Sequence, residues 1–519
     1  MQLVGQRCGI NGEFGLVGGS SPFLFMHSRH LCPGGADAIQ LVYSGSTLGP
    51  AENSIGPNPS SAASSTGPNV YSASGVAISG GTGYVAGEVL TFATTTSTAM
   101  APVLVEIMTV SGGAPTSWQV IDGGMYATQL AAGVSQASTT GSGTGATATF
   151  TWRGHAMGLH VGIEPAWNTQ SFQGPNSVEV ASNGVTPLGA LNWNLLIPMG
   201  DFFVTDLIPV DVPVGGAIGI RAVVGYKNIP MGRMTNGAYW RGGGSASAND
   251  EFGSVNATFY EVANTSSMGT STANNLMQPL LILGLPKVQL PTIIAGFADS
   301  RCAGGASGTG SISNYDPLDT DGNHGWFEKA LASTNTATFW PWANMARGSD
   351  RASYAIPSAS TLKARNQRLR ALALAKPTAV YVNLSINDFV AQETYATVLA
   401  YEQQLVAEIR GCGVKYVFTD TTDPNTTSTD SWATVANQTL SQNQSTNLML
   451  RNAALRAGTY AAGYDFCVDQ GPNVEDATGG PYTGKWKAGA TGDGIHATPA
   501  ALLLKAATAA AAIAAKISV

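Results

Sequence analysis

The sequence predicts a multidomain protein. Residues 1–289 read as a β-sandwich with a small β module inserted at 72–150, and residues 290–519 as a three-layer α/β domain built on a parallel sheet. Three observations carry this prediction. First, the 519-residue chain holds 63 glycines and is only 11% charged, yet 44% of it is hydrophobic. A typical globular chain is about 25% charged, but this apolar content is ample for a sizeable core, so low charge does not imply disorder. Second, the composition changes near residue 290. Before it, short β-branched runs at 38–43, 202–212 and 217–224 are separated by Gly, Pro and Asn, as antiparallel strands require. Third, after it, apolar runs alternate with helical stretches, as a parallel sheet covered on both faces requires.

The strands expected in the second half span 292–296, 336–340, 379–384, 415–419 and 464–468. The intervening helices are expected at 326–332, 360–375, 394–410 and 447–461. In the third of these, Val398, Leu405 and Ile409 recur at i, i+7 and i+11, one face of a helix. Residues 72–150 follow a Ser/Pro/Gly-rich stretch and repeat Gly-rich turns beside alternating apolar positions, the pattern of short twisted hairpins.

Composition also excludes some functions. The net charge is −7 and no basic run occurs, so no surface is suited to tracking phosphates; no nucleic-acid partner is expected. Cys8, Cys32, Cys302, Cys412 and Cys467 are scattered and odd in number, neither a disulfide framework nor a zinc pattern. The N-terminus shows no basic segment followed by an apolar one, so no secretory signal is visible. The Ala-rich C-terminal run is interrupted by Lys505 and is expected to stay out of membranes.

Four local patterns bear on chemistry. IIAGFADSRCAG ends a predicted strand at Ser300, where the crevice of an α/β sheet lies; a helix cap is the alternative for such a serine. DGIHATP places Asp493 three residues before His496, so that a carboxylate can orient an imidazole; both also suit a turn ahead of a helix starting at Thr498-Pro499. VYVNLSINDFV ends a buried strand near Asn387, whose amide can donate to an oxyanion or close an Asx turn. NMARGSDRASY offers Gly348, whose backbone N–H is free to approach a substrate.

Together and in this order, these blocks resemble the SGNH (GDSL-type) serine hydrolase family over residues 290–519. The resemblance implies a flavodoxin-like fold with Ser300 as nucleophile, His496 as general base then acid, and Asp493 as its orienting carboxylate. It implies an oxyanion hole made by the N–H groups of Ser300 and Gly348 and the amide of Asn387, with no metal or organic cofactor. Three departures stand out: Ala298 and Ser385 replace glycines of the family pattern, and the spacing from Asn344 to Gly348 is one residue short. The first half resembles the jelly-roll-like module that precedes such domains in bacterial and phage proteins, and the insertion resembles Gly-rich β modules of phage tails. The resemblance therefore implies an esterase, with O-acetyl groups on a surface or extracellular polysaccharide as the expected substrate. The expected setting is extracellular or virion-associated, with homo-oligomer or virion assembly as the partner. Two alternatives stay open: a catalytically silent structural or receptor-binding virion protein, and an esterase or lipase for non-carbohydrate esters.

Other patterns are weaker. Asp319, Asp321 and Asn323 partly match a calcium loop, but His324 stands where that loop needs Gly. His27, His30, His155 and His160 lack Cys or carboxylate neighbours at ligand spacing. Cys302 is expected to be a small buried residue, and Trp340 and Trp342 to pack in the core.

Overall fold

The structure is a computed structural model. It describes residues 1–4, 14–17, 23–44, 70–92, 99–123, 125–126, 129–164, 178–180, 196–198, 202–205, 207–225, 229–232, 234–235, 251–255, 275–276, 279–290, 292–302, 325–333, 340–346, 350–356, 367–478 and 482–517.

The second half holds a five-stranded, all-parallel sheet: β1 (Ile294–Ala298), β2 (Trp342–Asn344), β3 (Ala379–Asn383), β4 (Tyr416–Asp420) and β5 (Phe466–Val468). Their spatial order is β2-β1-β3-β4-β5. This is the flavodoxin-like order, in which the chain passes from β1 to one side for β2 and to the other for β3. In open sheets of this kind, ligands bind outside the carboxyl ends of the strands where those connections diverge, here β1 and β3.

Alternate residues of these strands face two helical layers. Ala295, Phe297, Val380, Val382 and Val417 share one apolar cluster with Leu369 and Leu372 of α3 (Gln367–Ala375) and Leu405 and Ile409 of α5 (Tyr395–Gly411). Ile294, Ala298, Tyr381 and Phe418 belong to the other cluster, with Trp326 and Phe327 of α1 (Gly325–Ser333) and Leu502 and Ile513 of α8 (Pro499–Lys516). Four further helices, α2 (Ala352–Ala355), α4 (Ser385–Val390), α6 (Gln442–Arg456) and α7 (Gly471–Val474), complete the set among the described residues.

One expectation shifts and another falls mostly outside the described residues. A strand lies at Trp342–Asn344; of the strand expected at 336–340, only residue 340 is among the described residues, and it is not in a strand. Trp342 is fully buried there, and Trp340 is partly buried against the same cluster. The Ser-Ile-Asn-Asp segment is not the end of a strand: β3 stops at Asn383, and residues 385–390 form α4.

The first half is antiparallel. Phe23–Cys32, Gly216–Gly225, Thr144–Glu164 and Val70–Thr82 are successive neighbours in one large sheet. Gln2–Leu3, Leu281–Leu285, Ala36–Ser44 and Phe202–Val204 form a second, with Ile208–Val212 also on Ala36–Ser44. Residues 38, 39, 41, 42 and 43 of this second sheet are all buried. Strands buried at both odd and even positions are covered on both faces. Cys32, Ile218 and Ile220 of the large sheet share its apolar cluster, and so does α3, which touches Gln2–Leu3 and Leu281–Leu285. The small sheet thus packs on the large antiparallel sheet and on α3 of the α/β half.

The strand segments within 72–150 bury a cluster of their own, including Tyr84, Leu90, Phe92, Val105, Tyr126 and Phe150. Gly143 has to be glycine there, because a Cβ would overlap the ring of Tyr84. The strand Thr144–Glu164 nevertheless continues unbroken into the large sheet.

Candidate active site

Ser300 follows β1 by two residues and His496 lies in the loop that leads into α8; both are more than nine-tenths buried. Although 196 residues apart in sequence, Ser300 Oγ lies 2.9 Å from His496 Nε2. On the far side of the ring, His496 Nδ1 lies 2.7 Å from Asp493 Oδ2. The tautomer follows from these contacts. Burial would raise the Asp493 carboxyl, but its bonds to the His496 ring and to the Ile495 and His496 N–H groups outweigh that and hold it below its ordinary value. An ionised carboxylate only accepts, so Nδ1 carries the proton and Nε2 turns its lone pair to the serine hydroxyl.

The loop is built locally. Asp493 Oδ1 accepts from the N–H of Ile495 at 2.9 Å and of His496 at 2.8 Å, which leaves Oδ2 for the imidazole. Thr491 Oγ1 accepts from Gly494 N and donates to His496 O. Gly494 has φ +81°, and a Cβ on it would meet Thr426 O and lie 2.6 Å from Trp432 Cζ2. A side chain at that position would push the histidine loop off its neighbours.

The serine turn is held from both sides. Asp299 and Arg301, the residues flanking Ser300, are buried and paired: Arg301 Nε and Nη2 donate to the two carboxylate oxygens at 3.0 and 2.6 Å. Arg301 Nη2 also reaches Asn383 Oδ1 at 3.3 Å, at the end of β3. Asn383 in turn donates to Asp420, which also accepts from the Tyr381 hydroxyl. Burial raises the Asp420 carboxyl, and Lys505 opposes that shift. Among the described residues, the N–H of Ser300 has no acceptor.

Asn387 lies in the first turns of α4, and its Nδ2 donates to the carbonyl of Asp350 at 2.8 Å. The second N–H of that amide has no acceptor among the described residues. Gly348 lies outside the described residues, as do Asp319, Asp321, Asn323 and Cys8. Neither Ala298 nor Ser385 has a positive φ, so a side chain at these two family glycine positions brings no backbone strain. Ser385 uses its hydroxyl, 2.8 Å from Thr422 Oγ1. Cys302 is buried, and burial, with Glu328, Asp299 and Asp420 nearby, pushes its thiol well above the ordinary range. Among the described residues, no group of three or more His, Cys, Asp or Glu is placed to hold a metal ion.

No protein-family model and no curated protein matches the chain. Solved structures do. One is a carbohydrate acetylesterase from Sinorhizobium meliloti, 17% identical, covering 43% of this chain and 99% of its own, with a TM-score of 0.31. Another is an acetylxylan esterase from Geobacillus stearothermophilus, 14% identical, covering 44% and 95%, with a TM-score of 0.29. A GDSL-like lipase from Bacteroides thetaiotaomicron is 11% identical and covers 43% and 87%, with a TM-score of 0.28.

Sequence reasoning did not single out Asp299, Arg301, Asn383 or Asp350. Asp299 and Arg301 flank the serine, and two opposite charges beside a strand end were the available signal. Nothing in the sequence links Asn383 to that turn, because strand pairing brings it there, or Asp350 to Asn387, because only the packing of separate elements joins them.

Proposed function

We propose that the protein is a serine esterase of the SGNH type. The observation that carries this reading is the pair of contacts on one imidazole: Ser300 Oγ at 2.9 Å from Nε2 and Asp493 Oδ2 at 2.7 Å from Nδ1. Ser300 Oγ attacks the ester carbonyl carbon while its proton passes to His496 Nε2. The carbonyl oxygen becomes an oxyanion and accepts from the Ser300 N–H and the second N–H of the Asn387 amide, with Gly348 N–H as a third donor. Collapse expels the alcohol, which takes the proton from His496. Water then attacks the acyl-enzyme, gives its proton to His496, and the acid leaves as Ser300 regains its hydrogen.

Within this proposal the substrate is an O-acetyl group on a surface or extracellular polysaccharide. The β half is a jelly-roll-like accessory domain of a virion-associated or extracellular protein. Support for this narrower part is the likeness of the Gly-rich β segments to phage and bacterial modules. The test is hydrolysis of p-nitrophenyl acetate by wild type and by Ser300→Ala, followed by acetate release from a panel of acetylated polysaccharides. A loss on the order of 10⁵-fold or more is expected for the variant. Equal rates would end the catalytic reading, and activity on the chromogenic ester with no acetate from any polysaccharide would end the carbohydrate one.

A further inference from the structure

We propose that Arg368, on α3, is a positioning residue for the Asn387 amide and acts through Asp350. The inference rests on the assignment of Asn387 to the oxyanion site above. An amide NH₂ group is planar, so bonding one N–H to the Asp350 carbonyl fixes the direction of the other. That carbonyl is only as well placed as its own residue, which Arg368 holds.

Arg368 is fully buried, and its guanidinium reaches three different segments. Nη2 donates to Asp350 Oδ2 at 2.6 Å, and Nη1 donates to the carbonyl of Met345, just past β2, at 3.0 Å. The guanidinium carbon sits 3.9 Å from the centroid of the Phe297 ring on β1, three residues before the nucleophile. One rigid fork therefore ties β1 to both sides of residues 347–349. A lysine cannot do this, because its single ammonium lacks the planar spread of donors. Beyond its Asn387 bond to residue 350, α4 also holds residues 352 and 353 through Asp388, which accepts from Ala352 N at 2.7 Å and from Ser353 Oγ at 2.6 Å.

A stability role alone explains the pair poorly. A buried ion pair is weak evidence for stability, because desolvation offsets its attraction and an apolar pair of similar size often does as well. Here the second carboxylate oxygen, Asp350 Oδ1, is buried with no hydrogen-bond partner among the described residues. That makes the pair a costly way to fill space and a good way to hold a carbonyl.

The test uses the full chain with Arg368→Met and Asp350→Leu combined, which removes both charges and leaves none unpaired. Rates on p-nitrophenyl acetate are normalised to active sites titrated with a fluorophosphonate. The double change should lower kcat about 10–100-fold, the scale of a displaced oxyanion donor, with KM within about threefold. In an Asn387→Ala background the same change should cost less than about twofold, because the amide it positions is gone. Arg368→Lys should restore little. An equal loss in both backgrounds, or no loss, would overturn the proposal. A crystal structure of the doubly changed protein gives a readout independent of turnover: the Asn387 Nδ2 bond to the residue 350 carbonyl should be lost or rotated, and its persistence would also overturn the proposal. If wild type hydrolyses no ester, the functional reading fails by itself, and the crystal structure still decides whether Arg368 positions the amide.

Discussion

At Asp493 one carboxylate does two jobs with its two oxygens. Oδ1 takes the N–H groups of Ile495 and His496 and so shapes the loop, while Oδ2 faces the imidazole. The three-residue spacing makes this possible, since a turn of that length returns the ring to the carboxylate that caps it. Asp493→Asn would leave the loop bonds nearly intact but present an amide that can donate to Nδ1 and favour the wrong tautomer. A fall in kcat on the order of 10³–10⁴-fold is expected, with the folded structure retained by circular dichroism. Activity within a few-fold of wild type would remove Asp493 from the mechanism. The Asp493–His496 pattern is visible in sequence because both residues lie in one short loop. That this loop meets Ser300, and not another serine, is invisible there.

Between elements, α4 joins the serine crevice to the segment after β2, and its Asp388 gives that joint a pH dependence. Burial raises the Asp388 carboxyl from 3.8 to about 6, against the lowering effect of bonds from Ser353 and Ala352. Between those values the folded protein keeps a proton that the unfolded chain has lost, so stability falls as pH rises from about 4 to 6 and then levels. Asp388→Asn should flatten that part of the curve in urea unfolding measured from pH 3.5 to 7, and an unchanged slope would exclude Asp388 as its source. The helical period of α5 was legible, and Val398, Leu405 and Ile409 are buried as that period requires. The start of α4 was not, because Leu384 offers no capping side chain and the strand and helix share one apolar run. α8 illustrates a related limit. Its length and hydropathy meet the criterion for a membrane span, yet it lies against α1 and buries Lys505 on Asp423, with Nζ–O distances of 2.6 and 2.7 Å.

Across the whole molecule, the low charge count has a second side. Of 25 Lys and Arg, Arg301, Arg368, Arg451 and Lys505 are buried in the α/β half, each against a carboxylate. The few charges present are thus used partly to fix the interior. The two halves also share an apolar cluster, with α3 packed between the parallel sheet and the small antiparallel one. Leu372, fully buried on α3, belongs to it. Leu372→Ala should destabilise the chain by about 2–5 kcal/mol in urea unfolding. A fragment of residues 290–519 should unfold at lower urea than the full chain or aggregate, because Leu3, Leu281 and Leu283 no longer cover that face. A fragment as stable as the whole would show that the shared cluster contributes nothing.

Periodicity and turn chemistry act over a few residues, so the sequence by itself determined the alternation of strands and helices in the second half, and it offered a boundary near residue 290 and Ser300, Asp493 and His496 as candidates. Strand order, and with it every contact between elements, depends on packing across tens to hundreds of residues, which leaves no local pattern. Only the tertiary structure therefore decided that His496 faces Ser300, that Arg301 reaches Asn383 beside the serine turn, and that Asp350 accepts from both Arg368 and the Asn387 amide. It also decided that the small β sheet is covered by both the large sheet and α3, because burial on both faces follows from what packs on a strand and not from the strand alone.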